Sequence, residues 1–238
     1  MCSLEKRGNL FFLTLTGDDQ HRLGPPLISS ILSTLSKISS ESTPGSVLIT
    51  TAHGKYFSTG FDLSYARSAS SPSEAVDRLK AMVKSLRPVA AAFMSLPMPT
   101  IIAVNGHAAA GGFMFPICHD YILMRRDHGV LFMPEVDLAL PLPDYFATVM
   151  RERIRSPAAL RDMMLRGVKV TAEEGVKMGI VDSVYDSTER TMDAAVRLGE
   201  ELSRRKWNGE VYAEIRKSLY PESCRILGLT QKPLVSKI

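Results

Sequence analysis

The 238-residue chain is predicted to be an α/β protein, with a core of alternating strands and helices followed by a helical C-terminal region. Three observations carry this. Short β-branched and aromatic runs alternate with amphipathic stretches through the first 133 residues. From residue 144 to 219 every recognisable element has helical spacing and helical start signals. Two glycine-bearing turns, Ser58-Thr59-Gly60-Phe61-Asp62-Leu63 and Asn105-Gly106-His107-Ala108-Ala109-Ala110-Gly111-Gly112, each follow an apolar β-branched run, as strand-to-helix junctions do.

In chain order, residues 9–16 (NLFFLTLT) lie between Gly8 and Gly17 and predict a strand. Residues 27–39 place Ile28, Ile31, Leu32, Leu35 and Ile38 on one helical face. A second buried strand is expected over 46–52. A long helix follows over 74–95, with Val76, Leu79, Val83 and Leu86 aligned and Pro88 as a candidate kink. Residues 100–104 predict a strand, 111–118 a short buried helix, and 120–124 and 129–133 two more strands. The helical half comprises 144–153, 156–165 after a Ser-Pro start, 171–178 behind a Thr-x-Glu-Glu capping pattern, 189–205 and 209–219. Residues 1–189 are therefore taken as the core and 190–238 as a C-terminal helical region.

Composition narrows the function. A net charge of +4 without a dense Lys/Arg block disfavours nucleic-acid binding but suits a small phosphate-bearing substrate. Cys2, Cys118 and Cys224 are odd in number and far apart, so they predict reduced thiols, not disulfides or a zinc site. The most apolar stretch, 89–104, is broken by Pro97 and Pro99 before it reaches the roughly 20 residues a membrane span needs. The N-terminus lacks the apolar core of a secretory signal. Ser236-Lys237-Ile238 differs from the peroxisomal address Ser-Lys-Leu only at the last residue, so a peroxisomal location is expected.

The two glycine turns carry the chemistry. A strand that turns into a helix leaves backbone N–H groups unpaired, and two such turns can present a pair of donors to one oxygen. Each turn alone also has an ordinary reading. Gly60 can serve a positive φ with Asp62 as a helix cap, and the small residues 108–112 can serve close packing. The second turn lacks the G-x-G-x-x-G spacing of a dinucleotide site and the Gly-Lys-Ser/Thr of a phosphate loop. No Gly-x-Ser-x-Gly elbow is present either. His107 and His119 lack a partner at catalytic spacing and are expected to be structural hydrogen-bonders.

Together the turns, with Ile102-Ala103-Val104-Asn105-Gly106, Met133-Pro134-Glu135 and the Thr171 to Asp182 stretch, resemble the crotonase (enoyl-CoA hydratase/isomerase) superfamily over residues 10–184. The resemblance implies a spiral of ββα units whose C-terminal helices, here 190–238, assemble trimers or dimers of trimers. It implies an acyl-CoA thioester substrate, with no metal and no cofactor beyond the CoA of the substrate. By position, the N–H groups of Phe61 and Gly111 would hold the thioester oxygen, with Ser58, Thr59, Gly60, Asp62, Leu63, Gly112 and Met114 around the substrate. Hydratases of the family use two glutamates. The first position is Met114 here, and the second is Glu135.

One carboxylate suffices to move a proton from C2 to C4, whereas splitting water needs two. The resemblance is thus to the plant-type peroxisomal Δ3,Δ2-enoyl-CoA isomerase branch, with Glu135 as base. Asp144 is the main rival, followed by Asp137 and Asp62. An apolar wall of Leu131, Phe132, Met133, Leu138, Leu140 and Leu142 is expected to raise the pKa of the base. Hydratase or thioester hydrolase activity is the alternative if Asp144 or a bound water replaces the second glutamate, and a non-catalytic acyl-CoA binder is another. Lys206 and Arg216 are expected to be solvated charges and not ligands of CoA phosphate.

Overall fold

A hairpin absent from the sequence reading begins the chain: β1 (Cys2–Arg7) pairs antiparallel with β2 (Leu10–Leu15). β1 is an edge strand, and its outer residues are polar, which hides it from an apolar-run search. Lys6 and Arg7 lie over the rings of Phe11 and Phe12, each 4.6 Å from the centroid. The computed structural model describes residues 1–231, so Ser236-Lys237-Ile238 lies outside the described residues.

From β2 the sheet continues in parallel through β3 (Val47–Ala52), β5 (Thr100–Val104), β7 (Tyr121–Arg125) and β9 (Ser183–Tyr185). Side chains alternate across a strand, so each strand serves two cores. Phe11, Leu13, Leu15, Leu48, Ile102, Val104, Ile122 and Met124 face one core, which α1 (Pro25–Ser40) and α3 (Pro72–Ser95) help to build. Leu10, Phe12, Val47, Ile49, Ile101, Ala103 and Leu123 face the other, where Ala194, Ala195 and Leu202 of α8 (Thr188–Arg204) cover them. The boundary drawn at 189/190 falls in the first turn of α8, and this helix packs on the sheet of the core.

Three times the chain leaves this sheet, forms a short second strand, and then turns into helix. β3 leads to β4 (Tyr56–Ser58), then α2 (Leu63–Arg67) and α3. β5 leads to β6 (His107–Ala109), a 3₁₀ turn (Ala110–Gly112) and α4 (Met114–Cys118). β7 leads to β8 (Leu131–Phe132) and α5 (Asp144–Arg153). The second strands form their own parallel sheet in the order β4-β6-β8. This is the expected spiral of strand, strand, helix units. The helix expected over 111–118 is divided, with the 3₁₀ turn first and α4 after it.

The later helices start as their caps predict. Ser156 caps α6 (Pro157–Arg166), and Thr171 with Glu174 forms a full capping box on α7 (Ala172–Lys177). α9 (Gly209–Leu219) and α10 (Pro221–Leu227) complete the described chain. No helix among the described residues is long and apolar enough to cross a membrane. The three cysteines are free thiols.

Arg216 overturns its expected role as a solvated charge. It lies buried under α9 and donates to Asp120 at 2.7 and 2.5 Å, and to the carbonyls of Leu96 and Met98 at 2.7 and 2.6 Å. These bonds tie the end of α3 to the start of β7. Burial alone would raise the Asp120 pKa, but the charge and hydrogen bonds of Arg216 outweigh it and hold the carboxyl below its ordinary value. Arg216→Met leaves a buried carboxylate without its counter-ion. A loss of about 3–5 kcal/mol is expected in urea unfolding at neutral pH. Because the Asp120 pKa is depressed in the folded protein, the wild-type advantage should be lost as pH falls through that value.

His119 is structural, as expected. Its ring bonds to Thr50 Oγ1 at 2.8 Å and the Phe115 carbonyl at 2.7 Å, and burial holds its pKa down to about 4.

Candidate active site

The small sheet assembles the site. β4, β6 and β8 are parallel neighbours, with Ser58 registered on Ala108 and Ala109 on Phe132. Their C-terminal ends therefore lie side by side. Phe61 follows just beyond β4, Gly111 just beyond the central β6, and Glu135 just beyond β8. The topology thus brings together three groups that are far apart in sequence.

The first turn is strapped down by a segment that the sequence reading did not single out. Thr59 N–H donates to the Gln20 carbonyl at 3.0 Å, Ser58 Oγ to the His21 carbonyl at 2.8 Å, and Leu23 N–H to the Gly60 carbonyl at 2.8 Å. Asp62 N–H completes the strap by donating to the Leu23 carbonyl at 3.4 Å. Leu23 thus bonds the residues on either side of Phe61, in a parallel bridge. In such a bridge the middle residue turns its own N–H away from the partner strand. Among the described residues the Phe61 N–H has no acceptor. Gly60 itself has φ +87°, the left-handed conformation expected of it.

The second turn frees its amide differently. The first N–H groups of any helical turn lack an intrahelical partner. Gly111 is the second residue of the 3₁₀ turn, and its N–H has no acceptor among the described residues. The residue before it, Ala110, has φ +50°, which is rare for a residue with a side chain. The two turns touch: a Cβ added to Gly60 would sit 2.9 Å from Ala110 Cβ and 3.3 Å from Gly111 N. A Cβ on Gly112 would sit 2.4 Å from the Ser58 carbonyl oxygen, so this position must stay bare for the turns to meet.

The side chains of the first motif are largely used within the chain. Ser58 is buried and hydrogen-bonded, Thr59 Oγ1 reaches the Gln20 carbonyl at 3.5 Å, and Asp62 caps α2 by accepting from Tyr65 N–H at 3.0 Å. Leu63 is half-buried at the start of α2, and Met114 is buried at the start of α4. The Phe61 ring stacks on Phe146 of α5, with centroids 6.2 Å apart and an interplanar angle of 20°. Nothing in the sequence pointed to Phe146, because a phenylalanine on a helical face looks like ordinary core.

Glu135 is the outstanding titratable group. It is 7% exposed, and its Oε2 has no hydrogen-bond partner among the described residues. Burial raises its pKa above the ordinary carboxylate value, and its own backbone amide offsets this only partly. The loop after it is a series of tight turns, with Leu138 N–H bonded to the Pro134 carbonyl and Leu140 N–H to the Glu135 carbonyl, both at 3.0 Å. Of the expected apolar wall, Leu131 and Met133 are fully buried, and Phe132, Leu140 and Leu142 are half-buried. Leu138 departs from it: the turn points its side chain outward, 47% exposed. The rivals Asp144 and Asp137 are both exposed.

A buried carboxylate and two amides without acceptors among the described residues, all just beyond the same end of the small sheet, are groups that can remove a proton from carbon and hold the negative oxygen that results. The comparisons agree with the class this defines. The model of the enoyl-CoA hydratase/isomerase family matches residues 18–220, and the chain belongs to that family. Among similar proteins of Arabidopsis thaliana, one named enoyl-CoA delta isomerase 3 is 56% identical over 237 residues, covering 99% of each chain. Another, named enoyl-CoA delta isomerase 2, peroxisomal, is 58% identical over 230 residues, covering 96% of each. The apo structure of an enoyl-CoA isomerase from Mycobacterium tuberculosis superposes with a TM-score of 0.84 at 18% identity, covering 95% of this chain and 94% of that one. That likeness shows the shared fold.

Proposed function

We propose that the protein is a Δ3,Δ2-enoyl-CoA isomerase of fatty-acid β-oxidation, converting 3-enoyl-CoA to 2-trans-enoyl-CoA. The observation that carries this reading is Glu135, a buried carboxylate whose Oε2 has no partner among the described residues, beyond the same sheet end as the Phe61 and Gly111 amides. Glu135 takes a proton from C2, and the C2–H electron pair delocalises through the carbonyl onto the thioester oxygen. The two amides stabilise that oxyanion, each by roughly 3 kcal/mol. The electrons return through the dienolate to C4, which takes the proton back from Glu135, and the double bond ends between C2 and C3. No electron is gained or lost, so the reaction needs no redox cofactor; the two amides take the part a Lewis acid could play, and CoA serves as the handle. Met114 stands where a second glutamate would be needed to hold water, which argues against hydration. The names of the Arabidopsis relatives support the isomerase reading.

The peroxisomal names of two of those relatives and the terminal Ser236-Lys237-Ile238 support a peroxisomal location. Val211, Ile215 and Leu219 are exposed along one face of α9, which supports self-association into a homo-oligomer.

The decisive experiment supplies 3-enoyl-CoA and 2-enoyl-CoA separately. The expected result is 2-trans-enoyl-CoA from the first and little hydration of the second. Faster hydration than isomerisation, or no 2-trans-enoyl-CoA formed from the first substrate, would reject the proposal. The raised pKa of Glu135 sets the pH dependence. Since the base must be ionised, kcat/KM should fall as pH drops through a value above the ordinary glutamate range and level off above it. A profile flat down to pH 4 would exclude Glu135.

A further inference from the structure

We propose that Gly60 and Ala110 are a matched pair of positioning residues, whose left-handed backbone aims the next amide of each turn into the site. This rests on the oxyanion role of the Phe61 and Gly111 amides proposed above. Gly60 has φ +87° and precedes Phe61, and Ala110 has φ +50° and precedes Gly111. Both amides that follow lack an acceptor among the described residues. A left-handed residue reverses the sense in which the following peptide faces, which is how successive main-chain N–H groups come to form anion-binding concavities. Both turns use the device, and they touch at these two residues: a Cβ on Gly60 would lie 2.9 Å from Ala110 Cβ and 3.0 Å from the Ala109 carbonyl oxygen.

Gly60 adopts its conformation freely, whereas Ala110 is held against its preference. The hold is visible. Phe113 N–H donates to the Ala110 carbonyl at 2.9 Å, and β6 immediately before it is fixed between β4 and β8. Strain of this kind persists where the surroundings over-determine it, and here it stands next to the Gly111 amide. Ala110 touches no reacting atom in this account. It acts through the amide that follows.

Two substitutions test the pair, Ala110→Val and Ala110→Gly. A β-branched residue resists positive φ, so Ala110→Val should rotate the turn and lower kcat by about 10²-fold with KM changed less than about threefold. Ala110→Gly keeps the conformation, so kcat should stay within about threefold of wild type and Tm should not fall, although Ala→Gly at an ordinary position lowers stability. A readout independent of turnover is the amide proton resonances of Phe61 and Gly111 on adding octanoyl-CoA. They should move downfield in wild type and Ala110→Gly, and not in Ala110→Val.

A folded Ala110→Val enzyme with wild-type kcat would overturn the pairing. If that variant does not fold, a lower Tm or a tenfold loss of kcat in Ala110→Gly would do so. Amide resonances that ignore octanoyl-CoA in wild type would overturn it as well. Wild-type protein that shows the resonance shifts but no isomerisation would instead remove the proposed reaction and leave the positioning intact.

Discussion

Glu135→Gln should lower kcat for isomerisation by about 10³-fold while leaving the Kd for enoyl-CoA nearly unchanged. The substitution keeps the volume of the side chain and removes its charge and its ability to accept a proton. In the proposed mechanism substrate affinity would come from contacts with CoA and from the amides of Phe61 and Gly111, none of which depends on the carboxylate. The stability of the variant supplies a second, opposite signal. The folded-state pKa of Glu135 is raised, so the folded protein favours the protonated acid. Its contribution to stability is present at acid pH and is lost as pH rises through the folded value. At pH 8 the wild-type enzyme carries a buried charge whose Oε2 has no partner among the described residues, and the glutamine does not. The variant should therefore unfold at the same temperature as wild type or higher. A lower Tm together with retained turnover would assign Glu135 to structure and move attention to Asp144.

The second large effect is structural and lies at the root of the small sheet. Gly106 links β5 to β6, and a Cβ placed there would sit 1.9 Å from the Lys55 carbonyl oxygen and 2.7 Å from the Lys55 carbonyl carbon. Both are backbone atoms just before β4, so no side chain can swing aside. Gly129 closes in from the other direction, its own Cβ position 2.7 Å from the Gly106 carbonyl carbon. Gly106→Ala must push β4 and β6 apart, and overpacking against rigid backbone should cost about 3 kcal/mol or more. Urea unfolding should show the loss. Residual folded protein should also lose activity, because the ends of β4 and β6 hold the Phe61 and Gly111 amides.

The large sheet was legible in the sequence for a simple reason. Strands β2, β3 and β5 are buried on both faces, so each is a nearly unbroken apolar run that no helix period mimics. β8 falls within the strand expected over 129–133, but β4 and β6 were not legible. They are three residues long each, too short for any alternation to register. The site was half visible. Phe61, Gly111 and Glu135 are marked through the family resemblance of the two glycine turns and of Met133-Pro134-Glu135, and their roles belong to the proposal above. The strap at residues 20–23 left none, since it works through backbone carbonyls that any residue carries. Ala110 was equally silent, because alanine gives no hint that its φ will be positive. Arg216 was misjudged for a related reason: a lone arginine near a C-terminus looks solvated until the fold brings Asp120 and the end of α3 around it.

The parallel ends of β4, β6 and β8 divide labour between kinds of atoms. In the proposed mechanism the electrophilic half of the reaction would fall to peptide groups, which do not titrate and which no side-chain substitution can delete outright. The choice of reaction is left to a few side chains hung on that frame. On that division, changing the acid or its neighbour would alter the reaction while the backbone groups that face the negative charge stay in place.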